Sequence, residues 1–197
     1  MVDNNAALEE IREYAEENNV PIMTEDGIKF LTNYIRKHNI KKILEIGAAI
    51  GYSAIMMALV DNEIEITTIE RDEKRYLEAV KNIKKFKLEN RINLIYKDAF
   101  DVKLDDTYDL LFIDAAKAQN IKFFEMFSKN LNPKGIIITD NMNFHGLVDK
   151  ELDEIKSRNL RALIRKLKDY AVFLKENKNY ETEFLDIGDG IAISIPR

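Results

Sequence analysis

Between Lys41 and Thr139 the chain alternates short β-branched runs with longer amphipathic stretches, and this rhythm leaves very few folds open. The runs are Ile43–Ile46, Ile64–Ile69, Ile92–Tyr96, Leu110–Ile113 and Ile136–Thr139, apolar without a clean alternation of faces. Strands of this kind bury both faces, which predicts a parallel sheet covered by helices on each side. The stretches between them predict helices over 53–60, 73–87 and 118–131. A longer helix over about 151–176 would bury Leu160, Leu163, Ile164, Leu167, Tyr170, Ala171 and Leu174. Upstream, Leu8, Ile11, Tyr14 and Ala15 share one helical face before Pro21 interrupts. Thr24 then caps a second helix carrying Ile28, Leu31, Tyr34 and Ile35. Downstream, Thr182–Ile187, the turn Gly188–Gly190 and Ile191–Ile195 predict a hairpin that closes one sheet edge. The expected class is α/β, a doubly wound, mostly parallel seven-stranded sheet with a C-terminal antiparallel hairpin. At 197 residues one domain is expected, with helices over 1–40 and the sheet-bearing core over 41–197.

Composition narrows the function classes. No apolar run approaches the ~18 residues of a membrane helix, and the acidic start lacks the basic-then-apolar pattern of a secretory signal. The expected setting is cytoplasmic, with no membrane partner. The absence of Cys excludes disulfides, thiolate nucleophiles and zinc–thiolate sites. A net charge of -5 argues against generic nucleic-acid binding, yet residues 81–97 and 156–178 are strongly basic. Those segments are either a local phosphate-binding face or ordinary solvated helix surfaces.

In doubly wound sheets ligands bind outside the carboxyl ends of the strands. The first run ends Glu45-Ile-Gly-Ala-Ala-Ile-Gly-Tyr-Ser53, where Gly47 and Gly51 permit a tight turn close to a ligand. Ala49 and Tyr52 stand where the dinucleotide fingerprint requires glycine, which disfavours a nicotinamide or flavin enzyme. Glu45 beside that turn suits a cationic ligand better than a pyrophosphate. The second run ends in Glu70, the position from which an acid grips ribose hydroxyls. The third ends in Asp98-Ala99, placed for an adenine amino group, the fourth in Asp114 and the fifth in Asp140-Asn141. Each acid alone could cap a helix. Together they repel one another unless a cation neutralises them. If the fourth and fifth strands are neighbours ~4.8 Å apart, Asp114, Asp140 and Asn141 form an oxygen set suited to Mg2+, Ca2+ or Mn2+.

Three segments, Glu45–Ser53, Phe112-Ile-Asp-Ala-Ala-Lys117 and Thr139-Asp-Asn141, make the chain resemble the catechol O-methyltransferase-like, S-adenosylmethionine-dependent enzymes. The likeness runs from Pro21–Gly27 to the final hairpin and implies the class I, Rossmann-like methyltransferase fold. Within the family, the compact length, Pro21–Gly27 and Ala115-Ala116-Lys117 are most similar to the bacterial tRNA 5-hydroxyuridine methyltransferases. The resemblance implies that Glu45, Gly47 and Ser53 line the methionine end of the cofactor and that Met23 covers it. It implies Glu70 on the ribose, Asp98 and Ala99 on the adenine, and Asp114 beside the cofactor. It implies Mg2+ or another hard cation on Asp114, Asp140 and Asn141, with Lys117 as general base and Asp114 sharing the catalytic centre. The implied acceptor is wobble 5-hydroxyuridine in a tRNA anticodon loop, and the implied assembly a homodimer. A small catechol or phenylpropanoid-like phenol is the alternative acceptor, because both offer two adjacent oxygens to one ion. For RNA, Arg158, Arg161 and Arg165 are the expected phosphate contacts and Phe144 and His145 the stacking groups. Met142-Asn143 departs from the aliphatic pair more usual in the family at that lip.

Overall fold

Two helices, Asn4–Glu17 (α1) and Glu25–Lys37 (α2), lead into the sheet in the computed structural model, which describes residues 4–143, 146, 148 and 151–197. Thr24 caps α2 by accepting from Gly27 N at 3.3 Å. Glu25 and Asp26 in its first turn and Arg36 and Lys37 in its last oppose the helix dipole. The chain then runs β1 (Lys42–Ile46), α3 (Tyr52–Ala58), β2 (Glu65–Glu70), α4 (Glu73–Lys85) and β3 (Ile92–Tyr96). It continues through β4 (Tyr108–Ile113), α5 (Asn120–Phe127), β5 (Leu131–Thr139), α6 (Arg158–Lys175), β6 (Tyr180–Leu185) and β7 (Ile191–Pro196).

The seven strands lie in the order β3-β2-β1-β4-β5-β7-β6. The first five are parallel, and β7 runs antiparallel to both β5 and β6. The winding reverses between β1 and β4, so a crevice opens at their carboxyl ends. Successive residues serve opposite faces: Ile43, Leu110, Phe112, Ile136 and Ile138 pack with α1 to α4. Leu44, Leu111, Ile113 and Ile137 pack with α5 and α6. Burial on both sides explains why the strands read as continuous apolar runs.

Two expected boundaries move. The helix expected over 118–131 is α5 flanked by 3-10 turns at Lys117–Gln119 and Ser128–Asn130, and β5 already begins at Leu131. The long helix starts at Arg158 instead of near 151, because Ser157 caps it by accepting from Leu160 N at 3.3 Å. Leu152–Glu154 forms a separate 3-10 turn. Among the described residues no helix is long and apolar enough to cross a membrane.

Behind the active edge of β5, Tyr170 of α6 and Thr139 share a fully buried hydroxyl–hydroxyl hydrogen bond of 2.8 Å. Tyr170→Phe leaves the Thr139 hydroxyl unpaired in the core, a cost of about 1–3 kcal/mol. The expected result is a lower urea midpoint with an unchanged slope, and an unshifted midpoint would show that this bond contributes nothing.

Candidate active site

The turn after β1 is built by its neighbours. Gly47 N and Ala48 N both donate to Ile69 O, at 3.0 and 3.1 Å, which ties the turn to β2. Gly47 has φ +103°, and a Cβ there would lie 2.4 Å from Asp114 O at the end of β4. No larger residue fits without pushing the two strand ends apart. Ala49 also takes a left-handed φ of 45°. Glu70 braces it, accepting from Ala49 N at 2.8 Å with one oxygen and from Arg71 N and Asp72 N at 2.8 and 2.7 Å with the other. One carboxylate therefore faces the cleft and holds two turns in register.

These strand ends enclose a cleft of about 470 Å³, within the usual range for a small-molecule site. Met23, Gly47, Ser53 and Glu70 line it, as do Asp98, Ala99, Asp114, Lys117 and Asn141. Glu45 does not. It lies one layer behind, fully buried, where its carboxylate accepts from Ser53 Oγ and Thr68 Oγ1, each at 2.5 Å. Its reach to a ligand runs through Ser53. Asp98 caps the Ala99–Asp101 turn through Phe100 N and accepts from the Arg71 guanidinium at 3.3 Å. Tyr52 and Phe123 also line the cleft and were not anticipated. Tyr52 follows the Gly51 turn directly and takes two hydrogen bonds from Arg12, at 3.1 and 3.0 Å, on its phenol oxygen. Phe123 belongs to the apolar face of α5, which reads from sequence as core.

Burial pushes the Glu45 carboxyl up to about 7, outweighing its two hydroxyl donors. A carboxyl raised in this way stabilises the fold below its ordinary value of 4.5, and that contribution is lost as pH climbs through about 7. The shift is worth roughly 3 kcal/mol. Glu45→Gln is expected to flatten the fall in unfolding free energy between about pH 5 and pH 8. Urea denaturation at each pH checks this, and a variant profile parallel to the parent would contradict it.

At the opposite end of the cleft β4 and β5 are hydrogen-bonded neighbours, with Ile113 paired to Thr139. That register brings Asp114, Asp140 and Asn141 together. The Asn141 amide spans both carboxylates, lying 2.8 Å from Asp140 Oδ2 and 3.3 Å from Asp114 Oδ1. Like Glu45, Asp140 does not line the cleft, and it is only 3 % exposed. Burial raises its carboxyl to about 7, helped by the charges of Asp114 and Asp189 and opposed by Lys117. Lys117 Nζ donates to Asp114 Oδ1 at 2.7 Å. Among the described residues no trio of His, Cys, Asp and Glu converges on one point. The set here is two carboxylates and an amide. A divalent cation fits it: the buried carboxylate lacks a full counter-charge, and the Asn141 amide can present oxygen as readily as nitrogen.

The expected RNA contacts separate. Arg158 and Arg165 are exposed on α6, whereas Arg161 is half-buried and donates to Ile155 O at 2.8 Å, pinning the 152–154 turn. Phe144 and His145 lie outside the described residues.

A family model described as O-methyltransferase matches residues 1–196. A Vitis vinifera flavonoid 3',5'-methyltransferase is 31% identical over 184 residues, covering 89% of this chain and 77% of that protein. A Populus kitakamiensis caffeoyl-CoA O-methyltransferase is 28% identical over 199 residues, covering 94% and 84%. A Staphylococcus aureus crystal structure, provisionally named a caffeoyl-CoA O-methyltransferase, superposes with a TM-score of 0.91. It is 42% identical, covering 96% of this chain and 92% of that one.

Proposed function

The chain belongs to the O-methyltransferase family, and from that premise we propose that it methylates one oxygen of a vicinal pair on a phenolic acceptor of the caffeoyl or flavonoid type. The methyl donor is S-adenosylmethionine and the helper a divalent cation such as Mg2+. The observation that carries this reading is the meeting of Asp114, Asp140 and Asn141 at two adjacent strand ends, with Lys117 2.7 Å from Asp114. The names of the relatives, caffeoyl-CoA and flavonoid methyltransferases, support the acceptor class.

When bound, S-adenosylmethionine supplies an electrophilic methyl on a cationic sulfur and the metal ion supplies Lewis-acid stabilisation of an ionised hydroxyl. Ser53, held by Glu45, and Met23 line the methionine end. Glu70 takes the ribose hydroxyls, and Asp98 with Ala99 takes the adenine. Asp114, Asp140 and Asn141 would hold the ion. Lys117, beside Asp114 in the cleft, is the general base placed to take the proton of the attacking hydroxyl. Holding the oxygen ~3–3.5 Å from the methyl carbon and in line with its bond to sulfur supplies much of the rate.

A second reading uses the same centre. The C4 and C5 oxygens of 5-hydroxyuridine also form a vicinal pair, and the exposed Arg158 and Arg165 favour a tRNA anticodon loop as acceptor, giving wobble 5-methoxyuridine. Incubation with S-adenosylmethionine and Mg2+ separates the readings, offering either caffeoyl thioesters and catechol flavonoids or tRNA that carries 5-hydroxyuridine. Mono-methylated phenol, unaffected by reversing the charge of Arg158 and Arg165, is the expected product. Methylation of tRNA alone would establish the second reading, and no transfer to either acceptor would contradict both.

A further inference from the structure

The hairpin turn between β6 and β7 lies beside the Asp140-Asn141 lip, and three hydrogen bonds join them. Met142 N donates to Gly190 O at 2.9 Å and Asn143 N to Asp189 O at 2.7 Å. The Asn143 side-chain amide donates to Asp186 Oδ1 at 2.9 Å. The packing leaves no slack. A Cβ on Gly190 would lie 2.6–2.7 Å from the Asn143 backbone nitrogen and side chain. A Cβ on Gly188 would lie 2.3 Å from Oγ1 of Thr24, the cap of α2. The turn is thus wedged between a helix terminus on one side and the lip on the other.

Asn141 stands between two main-chain anchors. Asp140 N donates to Ile113 O at 3.1 Å before it, and Met142 N to Gly190 O after it. Between them Asn141 adopts φ +64°, a left-handed conformation open to Asn more than to most side chains and fixed here by the flanking main-chain bonds. That conformation turns its amide back across Asp140 and Asp114.

We propose that Asn143, Asp186 and Gly190 are positioning residues for the metal seat: the hairpin turn holds Asn141 in its left-handed form and thereby sets divalent-cation affinity without touching the ion. The inference rests on the metal-dependent reading above and deepens it.

The test is Mn2+ binding to the purified full chain, followed by electron paramagnetic resonance of free Mn2+, with S-adenosylmethionine affinity measured in parallel. Asn143→Ala and Asp186→Ala are expected to weaken Mn2+ binding about 10- to 100-fold, the range for residues that orient metal ligands. Their cofactor affinity is expected to stay within about twofold, since neither residue lines the cofactor cleft. Asp186→Asn keeps an acceptor oxygen for Asn143 and is expected to restore Mn2+ affinity to within about threefold of the parent. Unchanged Mn2+ affinity in both alanine variants would overturn the inference. So would an equal loss of Mn2+ and cofactor affinity, which would mark general loosening of the fold. Asp140→Ala is the control. If it binds Mn2+ as well as the parent, the metal seat itself is wrong and the positioning role falls with it.

Discussion

Replacing Lys117 with Met is expected to lower methyl transfer by about 10²- to 10⁴-fold, the span that a positioned acid–base group contributes. The side chain lies within the cleft and reaches the catalytic end, 2.7 Å from Asp114 Oδ1. Met keeps an unbranched apolar stem of nearly the same length and removes the amine. Cofactor affinity is expected to hold within about twofold, because the cofactor's hydrogen-bonding groups are assigned to Ser53, Glu70 and Asp98. Metal affinity is expected to be unchanged or tighter, since the ammonium no longer competes for Asp114. Isothermal titration with cofactor and with Mn2+, alongside single-turnover transfer, separates these quantities. Full activity in the variant would remove Lys117 from the chemistry. Loss of cofactor binding would reassign it to a structural role.

Asp140→Asn is expected to lower transfer by a similar factor and to raise the stability of the metal-free protein. The substitution keeps shape and removes a formal charge from the ion's seat, so metal-supported transfer should fall by at least about 10²-fold, with the fall undone only partly by excess Mg2+. In the metal-free protein the Asp140 carboxyl is raised to about 7 by burial and by Asp114. Its contribution to stability is therefore present in acid and lost as pH rises through about 7. Above that pH the parent carries a buried charge that the variant lacks. The metal-free variant should accordingly melt higher than the metal-free parent at about pH 8, by differential scanning calorimetry. Activity lost together with stability gained is the behaviour of a residue kept for a cation and not for packing. A variant that melts lower and still transfers methyl groups would contradict both halves.

Much of this arrangement could be read from the residues alone, where the signal was local. The parallel strands declared themselves because both faces are buried, and the acids that end β2, β4 and β5 could be placed once those strands were found. Glu70 closes β2, and Asp114 and Asn141 follow β4 and β5 by one and two residues, so all three stand at the carboxyl ends of the strands, where the cleft opens. Glu45 is different. One residue before the strand terminus, it alternates inward, and its partners Ser53 and Thr68 come from two other elements. The start of α6 depended on Ser157 winning the cap over residues nearer 151, a contest that helical periodicity does not register. The link between Asn143 and Asp186 crosses 43 positions. A Gly-Asp-Gly turn announces a hairpin but not which loop it will grip. Tyr52 was hidden for a related reason: its Arg12 partner belongs to α1, before the sheet begins.

The account stands on one seat for one ion. Crystals grown with S-adenosylhomocysteine and Mn2+, with data collected at the manganese absorption edge, test it most directly. The account predicts a single strong anomalous peak bounded by oxygens of Asp114, Asp140 and Asn141, with the Asn141 amide turned to present oxygen and Lys117 released from Asp114. No peak there at saturating Mn2+, with the Lys117–Asp114 ion pair intact and S-adenosylhomocysteine in the cleft, would contradict it.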